Sequence, residues 1–338
     1  MKIWIVTSRF GYGHLSVANA LEEELTDQGH QVVTSDIIEL LHPKLAKMIY
    51  GVFGRVVCKN TVLYNMVSSL GKKQLTSPFE SSLEEMTQAI DPDIIISTWS
   101  GCARKFKNVQ VPVYNCITDI GAHEGWVDSH VSGYLVASHI TKKQLVDLGV
   151  DRNLIHLYGI PVRKCFHYSK REGQKEKNVL IMGGGLGIID WLDQVLEKIH
   201  DCPEVKVTVI TGHNRKLYNR LVKTYPHVEV VGFTDEIYKY MSRASMIVSK
   251  PGGVSLFESI FTETPFIAIE PSFSQESTNA SYIAEMSIGS VLSDDDSIFD
   301  RVMSLIHDEH TLNRYQKNMK SIKEDLLYSK QKVGLNIA

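Results

Sequence analysis

Cysteine is scarce and badly placed for chemistry in this 338-residue chain. Its five cysteines (Cys58, Cys102, Cys116, Cys165 and Cys202) are odd in number and far apart. No pair has CxxC spacing, which argues against a zinc site or a disulfide framework and favours free thiols in a reducing compartment. Long apolar runs are also missing. No stretch approaches the roughly 18 residues needed to span a bilayer. The opening MKIWIVTS reads as a strand rather than a signal peptide. A dominant charge is absent too: up to residue 160 there are 14 basic against 16 acidic residues, and beyond it 22 against 23. That balance excludes a basic nucleic-acid module, so no nucleic acid is expected as a partner. Low complexity and internal repeats do not stand out.

What is present is alternation. Short β-branched runs at 3–7, 31–37, 93–98, 111–118 and 133–138 are separated by helical patterns. A second series follows at 179–183, 205–211, 228–232, 246–249, 265–270 and 289–292. Strands alternating with helices predict an α/β chain with parallel, doubly wound sheets. The series breaks near Gly159-Ile160-Pro161-Val162-Arg163 and the polar stretch 168–178. Two Rossmann-like domains are therefore expected, 1–160 and 161–310, facing a central cleft, with one or two amphipathic helices over 311–338. Ligands of such sheets bind at the carboxyl ends of the strands, and the distinctive residues lie there.

Ser8-Arg9-Phe10-Gly11-Tyr12-Gly13-His14 follows the first strand and opens a helix. Its glycines admit a ligand close to the backbone, and a histidine at this position can take a proton near neutral pH. A packing or capping role for His14 is the plain alternative. The pattern is not GxGxxG, although Asp36 at the end of the second strand imitates the acid of a dinucleotide site. Lys250-Pro251-Gly252-Gly253-Val254-Ser255-Leu256-Phe257-Glu258 joins proline, glycines and a helix start after another strand. Free amides there suit a diphosphate, and Glu258 one turn further in suits ribose hydroxyls. The polar segment Glu270 to Asn279, containing Gln275, Glu276 and Asn279, offers the mixed donors and acceptors that sugar hydroxyls require. Gly183-Gly184-Gly185-Leu186-Gly187 is a weaker glycine loop, readable as a tight turn or as a ligand cradle.

Two further patterns concern the other substrate. From Leu40 to Phe79 there is no Asp or Glu. Lys44, Lys47, Arg55, Lys59, Lys72 and Lys73 are interleaved there with apolar residues. Such a stretch can lie in an anionic membrane interface, or form core-facing helices with a basic edge. Thr118-Asp119-Ile120-Gly121-Ala122-His123-Glu124-Gly125-Trp126 ends the fourth strand. Asp119 is a second candidate base or a partner for His14, and Trp126 a candidate apolar wall. Asp294-Asp295-Asp296 reads as a helix cap rather than a metal cluster, and no metal site is expected.

These motifs in this order resemble the family of processive diacylglycerol glucosyltransferases and plant monogalactosyldiacylglycerol synthases, with MurG-type enzymes as more distant relatives. The likeness runs through FGYGH at 10–14, TDI and H..W at 118–126, VAS…K..L at 136–145, GIPVR at 159–163, KPGG…E at 250–258 and QE at 275–276. It covers essentially the whole chain. The resemblance implies a GT-B fold and an inverting hexosyltransferase that uses a UDP-sugar, with glucose the expected hexose, without metal or other cofactor. It implies a lipid acceptor such as diacylglycerol and peripheral attachment to the cytoplasmic membrane face. By motif, His14 would lie near the catalytic centre as base or donor-binding residue, with Asp119 the alternative base. Gly252 and Gly253 would hold the diphosphate, Glu258 the ribose, Phe233 the uracil, and Gln275 and Glu276 the hexose, with Gly13, Gly184, Lys250, Val254, Ser255 and Asn279 completing the UDP-sugar site. Tyr12, His123 and Trp126 would line the acceptor. The loop reads GYGH where the plant enzymes carry GGGH, which argues against plant-like galactose use. A soluble natural-product acceptor and a UDP-sugar epimerase are the alternative readings.

Overall fold

The computed structural model describes residues 1–10, 12–56, 80–169, 176–185, 187, 189, 191–269, 274–292 and 297–333. It omits the side chains of 53–56, 80–82, 274–275 and 332–333. The chain divides into two compact units, Met1–Lys164 with Ser329–Ala338, and Cys165–Tyr328. The second boundary differs from the expected 310/311 division because Glu309–Val333 is a single 25-residue helix whose last turns group with the first unit. There the Lys330 ammonium and the Tyr158 hydroxyl both donate to the Glu24 carboxylate, each at 2.8 Å.

In the first unit the parallel strands β1 (Lys2–Thr7), β2 (Gln31–Asp36), β3 (Ile94–Ser97), β4 (Val113–Cys116), β5 (Gly133–Val136) and β6 (Ile155–Leu157) lie in the order β2-β1-β3-β4-β5-β6. Sequence reading did not find β6. Three residues, Ile-His-Leu, are too short to show a period, and β6 forms only because β5 offers its edge, with Leu135 opposite His156. The second unit contains β7 (Lys177–Met182), β8 (Val205–Ile210), β9 (Glu229–Val231), β10 (Met246–Ser249), β11 (Phe266–Ile269) and β12 (Gly289–Leu292), in the order β12-β11-β10-β7-β8-β9. Both sheets reverse direction beside their first strand, at β1/β3 and at β7/β10. That reversal creates a crevice at the carboxyl ends of the strands.

Continuous apolar strands follow from cover on both faces. Ile3, Trp4, Ile5 and Val6 of β1 are all fully buried, as are Ile95 and Ile96 of β3. Trp4 meets Phe106 edge-on at 5.4 Å. In the second unit Val179, Ile181, Val209, Val248 and Ile267 form the floor of one core. Each such side chain contributes about 1.5–3 kcal/mol on burial, which anchors the strands that present the loops. Among the described cysteines, Cys102 and Cys116 are buried and Cys165 and Cys202 partly so, all as free thiols; Cys58 lies outside the described residues. Among the described residues no helix is long and apolar enough to cross a membrane.

Candidate active site

In the first unit the switch point is built around His14. It stands in the first turn of the helix Tyr12–Asp27, immediately after β1. Thr98, just past β3, is stitched to β1: its amide donates to the Val6 carbonyl at 3.0 Å and its hydroxyl to the Thr7 hydroxyl at 2.7 Å. The Thr98 carbonyl faces the His14 ring, with Nδ1 at 2.9 Å, and the Thr118 hydroxyl stands 3.1 Å from the same nitrogen. A carbonyl only accepts, so Nδ1 carries the hydrogen and Nε2 carries the lone pair. Desolvation of the ring lowers its pKa from 6.5 to about 4. The Thr98 hydrogen bond opposes the shift and the neighbouring charge of His123 reinforces it. His14 is therefore a neutral imidazole at physiological pH, with Nε2 set to accept a proton.

Asp119 follows Thr118 at the end of β4 and is partly exposed. His123 caps the turn Glu124–Trp126 by accepting the Gly125 amide on Nδ1 at 3.1 Å. Tyr12 is exposed at the helix start. Trp126 is placed differently from the apolar wall expected of it. It is 4% exposed and packs in the core of the unit, where its carbonyl accepts from the Asn115 amide at 2.9 Å. A side chain that large gains more by filling the core than by facing water, so it supports the loop from beneath. Thr98 was missed in sequence, and Thr118 was seen only as the start of its motif, because a threonine ending a β-branched run looks like one more strand residue.

Asp36 does not resemble a ribose-binding acid. Its carboxylate accepts the amides of Ile38 and Glu39 (2.9 and 3.1 Å), Arg9 Nε (3.0 Å) and the Tyr50 hydroxyl (2.7 Å). It caps the short helix Ile37–Leu41 and is fully occupied. The dinucleotide reading loses its acid for this reason.

In the second unit Met182 of β7 pairs with Ser249 of β10, so the loops Gly183–Gly187 and Lys250–Gly252 start side by side. A Cβ on Gly184 would lie 3.5 Å from the Lys250 Cε. The helix Gly253–Thr262 begins with Gly252 as its cap, no side chain fills the capping role, and the first helical bond runs from Leu256 to the Gly252 carbonyl. The amides of Gly253, Val254 and Ser255 therefore have no acceptor within the helix, and the dipole adds positive potential there. Asn279, buried on the helix Ser274–Glu285, donates to the Pro251 carbonyl at 2.8 Å and fixes the turn. Glu276 on the same helix pairs with Lys250 at 2.7 Å. Glu258 lies five residues into the amide-led helix and is 8% exposed. Phe233, past β9, is 52% exposed and stacks on His213 at 4.2 Å with 14° between the rings. His213 was not anticipated; the signal was Thr211-Gly212-His213 at the end of β8.

The second glycine loop divides between its two readings. Gly187 has φ +61° and a Cβ there would stand 1.9 Å from the Thr211 carbonyl oxygen, so it serves a tight turn. Gly184, with φ +65°, faces Lys250 and otherwise open space. The Gln275 side chain, residues 270–273, Asp294 to Asp296 and most of the basic stretch beyond Val56 lie outside the described residues.

Both halves of the chain are similar to known proteins. Residues 14–162 match the model of the monogalactosyldiacylglycerol (MGDG) synthase family, and residues 178–332 that of the glycosyltransferase family 28 C-terminal domain. The processive diacylglycerol beta-glucosyltransferase of Bacillus thuringiensis (strain Al Hakam) is 29% identical over 347 residues, which take in 95% of this chain and 89% of that protein. Among solved structures, the glycotransferase of kitacinnamycin superposes with a TM-score of 0.66 at 14% identity, over 98% of this chain and 97% of that one. MurG of Acinetobacter baumannii gives 0.62 at 12% identity, over 98% and 99%. The fold is accordingly GT-B. One family model matches each half, so the chain resembles glycosyltransferases that join an MGDG synthase N-terminal domain to a family 28 C-terminal domain.

Proposed function

We propose that this glycosyltransferase moves glucose from a UDP-sugar to diacylglycerol, with inversion, at the cytoplasmic face of a membrane. The observation that carries the reading is the open amide end of the helix Gly253–Thr262 at the β7/β10 switch point, with Lys250 beside it. A diphosphate leaving group is the anion that suits three free amides, a helix dipole and an ammonium. The exposed Phe233 ring gives a stacking face for uracil, and Glu276 a carboxylate for sugar hydroxyls. Leaving-group charge then falls on amides and Lys250, so no metal is required and EDTA should leave turnover unchanged.

The first unit supplies the base. His14 Nε2 takes the proton of the acceptor hydroxyl as its oxygen bonds to the anomeric carbon, and the bond from that carbon to the UDP oxygen breaks. Attack opposite the leaving group inverts the centre. The Thr98 bond favours His14 as the base, with Asp119 near the same strand ends as the group to hold or share the proton. Acceptor delivery fits the helix Ala46–Val56, where Met48 and Val52 are exposed, Met48 at 60%, with exposed Leu45 just before it and exposed Lys44 and Lys47 alongside. Apolar anchors flanked by ammonium groups suit an anionic leaflet, each lysine contributing about 1 kcal/mol. The relatives named for diacylglycerol support the same acceptor.

A mass-spectrometric screen of UDP-glucose, UDP-galactose and UDP-GlcNAc against diacylglycerol and water-soluble alcohols tests the reading. Glucosyl-diacylglycerol is the expected product. Transfer only to soluble alcohols, or sugar interconversion with donor alone, would replace it.

A further inference from the structure

The first unit contains a continuous set of contacts between the exposed apolar helix and the residues that lead into and orient His14. Tyr50 lies on the helix Ala46–Val56, between exposed Met48 and Val52, and turns its hydroxyl inward. That hydroxyl donates to Asp36 (2.7 Å to Oδ1) and accepts the Arg9 amide at 3.0 Å. The Arg9 guanidinium donates from Nε to the same carboxylate, pairs with Glu39, and lies 5.6 Å above the Tyr50 ring. Phe10 stands between the Tyr50 ring at 5.1 Å and the Trp99 ring at 5.2 Å. Trp99 is the next residue after Thr98, whose carbonyl orients His14. Burial and the adjacent Asp36 push the Tyr50 pKa up, so the hydroxyl keeps its proton and its donor role.

We propose that Tyr50 is a positioning residue that couples seating of this helix on a lipid surface to the placement of the His14 loop, through Asp36, Arg9 and the Phe10–Trp99 contact. The inference rests on the lipid-acceptor reading above. Tyr50 touches neither substrate in it. A helix held to the loop by a neutral surface contact would shift freely on the membrane. A hydroxyl bonded at once to a buried carboxylate and to a loop amide transmits that shift, because breaking either bond leaves a polar group unpaired. A misplacement of about 1 Å at a reacting centre costs on the order of a hundredfold in rate, so a small displacement is enough to matter.

The test compares turnover on diacylglycerol in phosphatidylglycerol vesicles with turnover on a short-chain diacylglycerol dissolved as monomer. Full-length parent, Tyr50→Phe and Phe10→Leu are measured, with vesicle co-sedimentation and melting temperature alongside. The parent should be faster on vesicles. Tyr50→Phe should bind vesicles and UDP like the parent, keep its KM for donor, and lose about tenfold in kcat on vesicles with little loss on dissolved acceptor. Phe10→Leu, which leaves the Asp36 cap intact, should narrow the same ratio, and it decides the matter if Tyr50→Phe does not fold. An unchanged vesicle-to-dissolved ratio, or an equal loss on both acceptors, overturns the coupling. A parent inactive on both lipids but active on a soluble alcohol overturns the lipid reading, and the coupling falls with it.

Discussion

Nδ1 of His14 lies 2.9 Å from the carbonyl oxygen of Thr98. One residue belongs to the helix after β1 and the other follows β3, so this hydrogen bond spans the reversal point of the first sheet. It decides the tautomer, and with it which ring nitrogen can meet a substrate.

The proposed base, held this way, has a defined pH signature. With the His14 pKa lowered by desolvation to about 4, the ring stays neutral well below pH 6.5, and kcat/KM should fall on the acid side near pH 4 rather than near 6.5. The unfolded chain binds this proton at its ordinary pKa, so between those values it holds more protons than the folded chain. Stability therefore declines as pH drops through that window. His14→Asn should flatten this part of the melting-temperature profile and reduce kcat by about 10²–10⁴-fold. An acid limb at pH 6.5 in the parent would mean that the ring is solvated.

Two glycine substitutions should separate ligand binding from folding. A Cβ on Gly252 meets nothing within 4 Å, and its φ of −73° suits any residue. Gly252→Val should melt like the parent yet weaken UDP binding by tenfold or more, as loss of an amide-lined anion site typically does (about 10²–10³ for one oxyanion donor). Gly187→Ala drives a methyl into the Thr211 carbonyl from a left-handed backbone. It should destabilise the protein by about 2–4 kcal/mol in denaturant unfolding.

Glu276 should matter for the sugar more than for the nucleotide. Its ion pair with Lys250 is half open to water on the lysine side, so Glu276→Gln should change stability by less than about 1 kcal/mol. Calorimetry should show UDP binding nearly as in the parent and UDP-glucose binding weakened by about tenfold, the cost of one charged hydrogen bond. Equal weakening of both ligands would assign Glu276 to the diphosphate region instead.

Acid should release a second contact in the first unit. His130 bridges the Asp128 carboxylate at 2.5 Å and the Ala103 carbonyl at 2.7 Å. Burial by itself would raise the Asp128 pKa, but hydrogen bonding and charge from His130, with help from Arg104, hold it below the usual 3.8. A depressed carboxylate stabilises the fold above its unfolded pKa and ceases to do so as pH falls through the folded value. Asp128→Asn should lower the melting temperature at pH 7, and the gap from the parent should close as pH falls below 3.8 and through the depressed folded value.

The amino-acid order alone determined the alternation of strands and helices, hence two doubly wound sheets. It also determined which loops carry glycine, histidine and acid, because β-branched runs and helix-opening prolines and glycines act through neighbouring residues. His14, Lys250 and Gly252 were readable in this way. The sequence could not decide the use of Asp36, the choice between turn and cradle at Gly187 and Gly184, or the burial of Trp126. Nor could it reveal Thr98, 84 positions from His14, as the group that orients the ring. Each of these depends on which groups from elsewhere in the chain pack against the residue, and parallel pairing sets that only when the sheet closes.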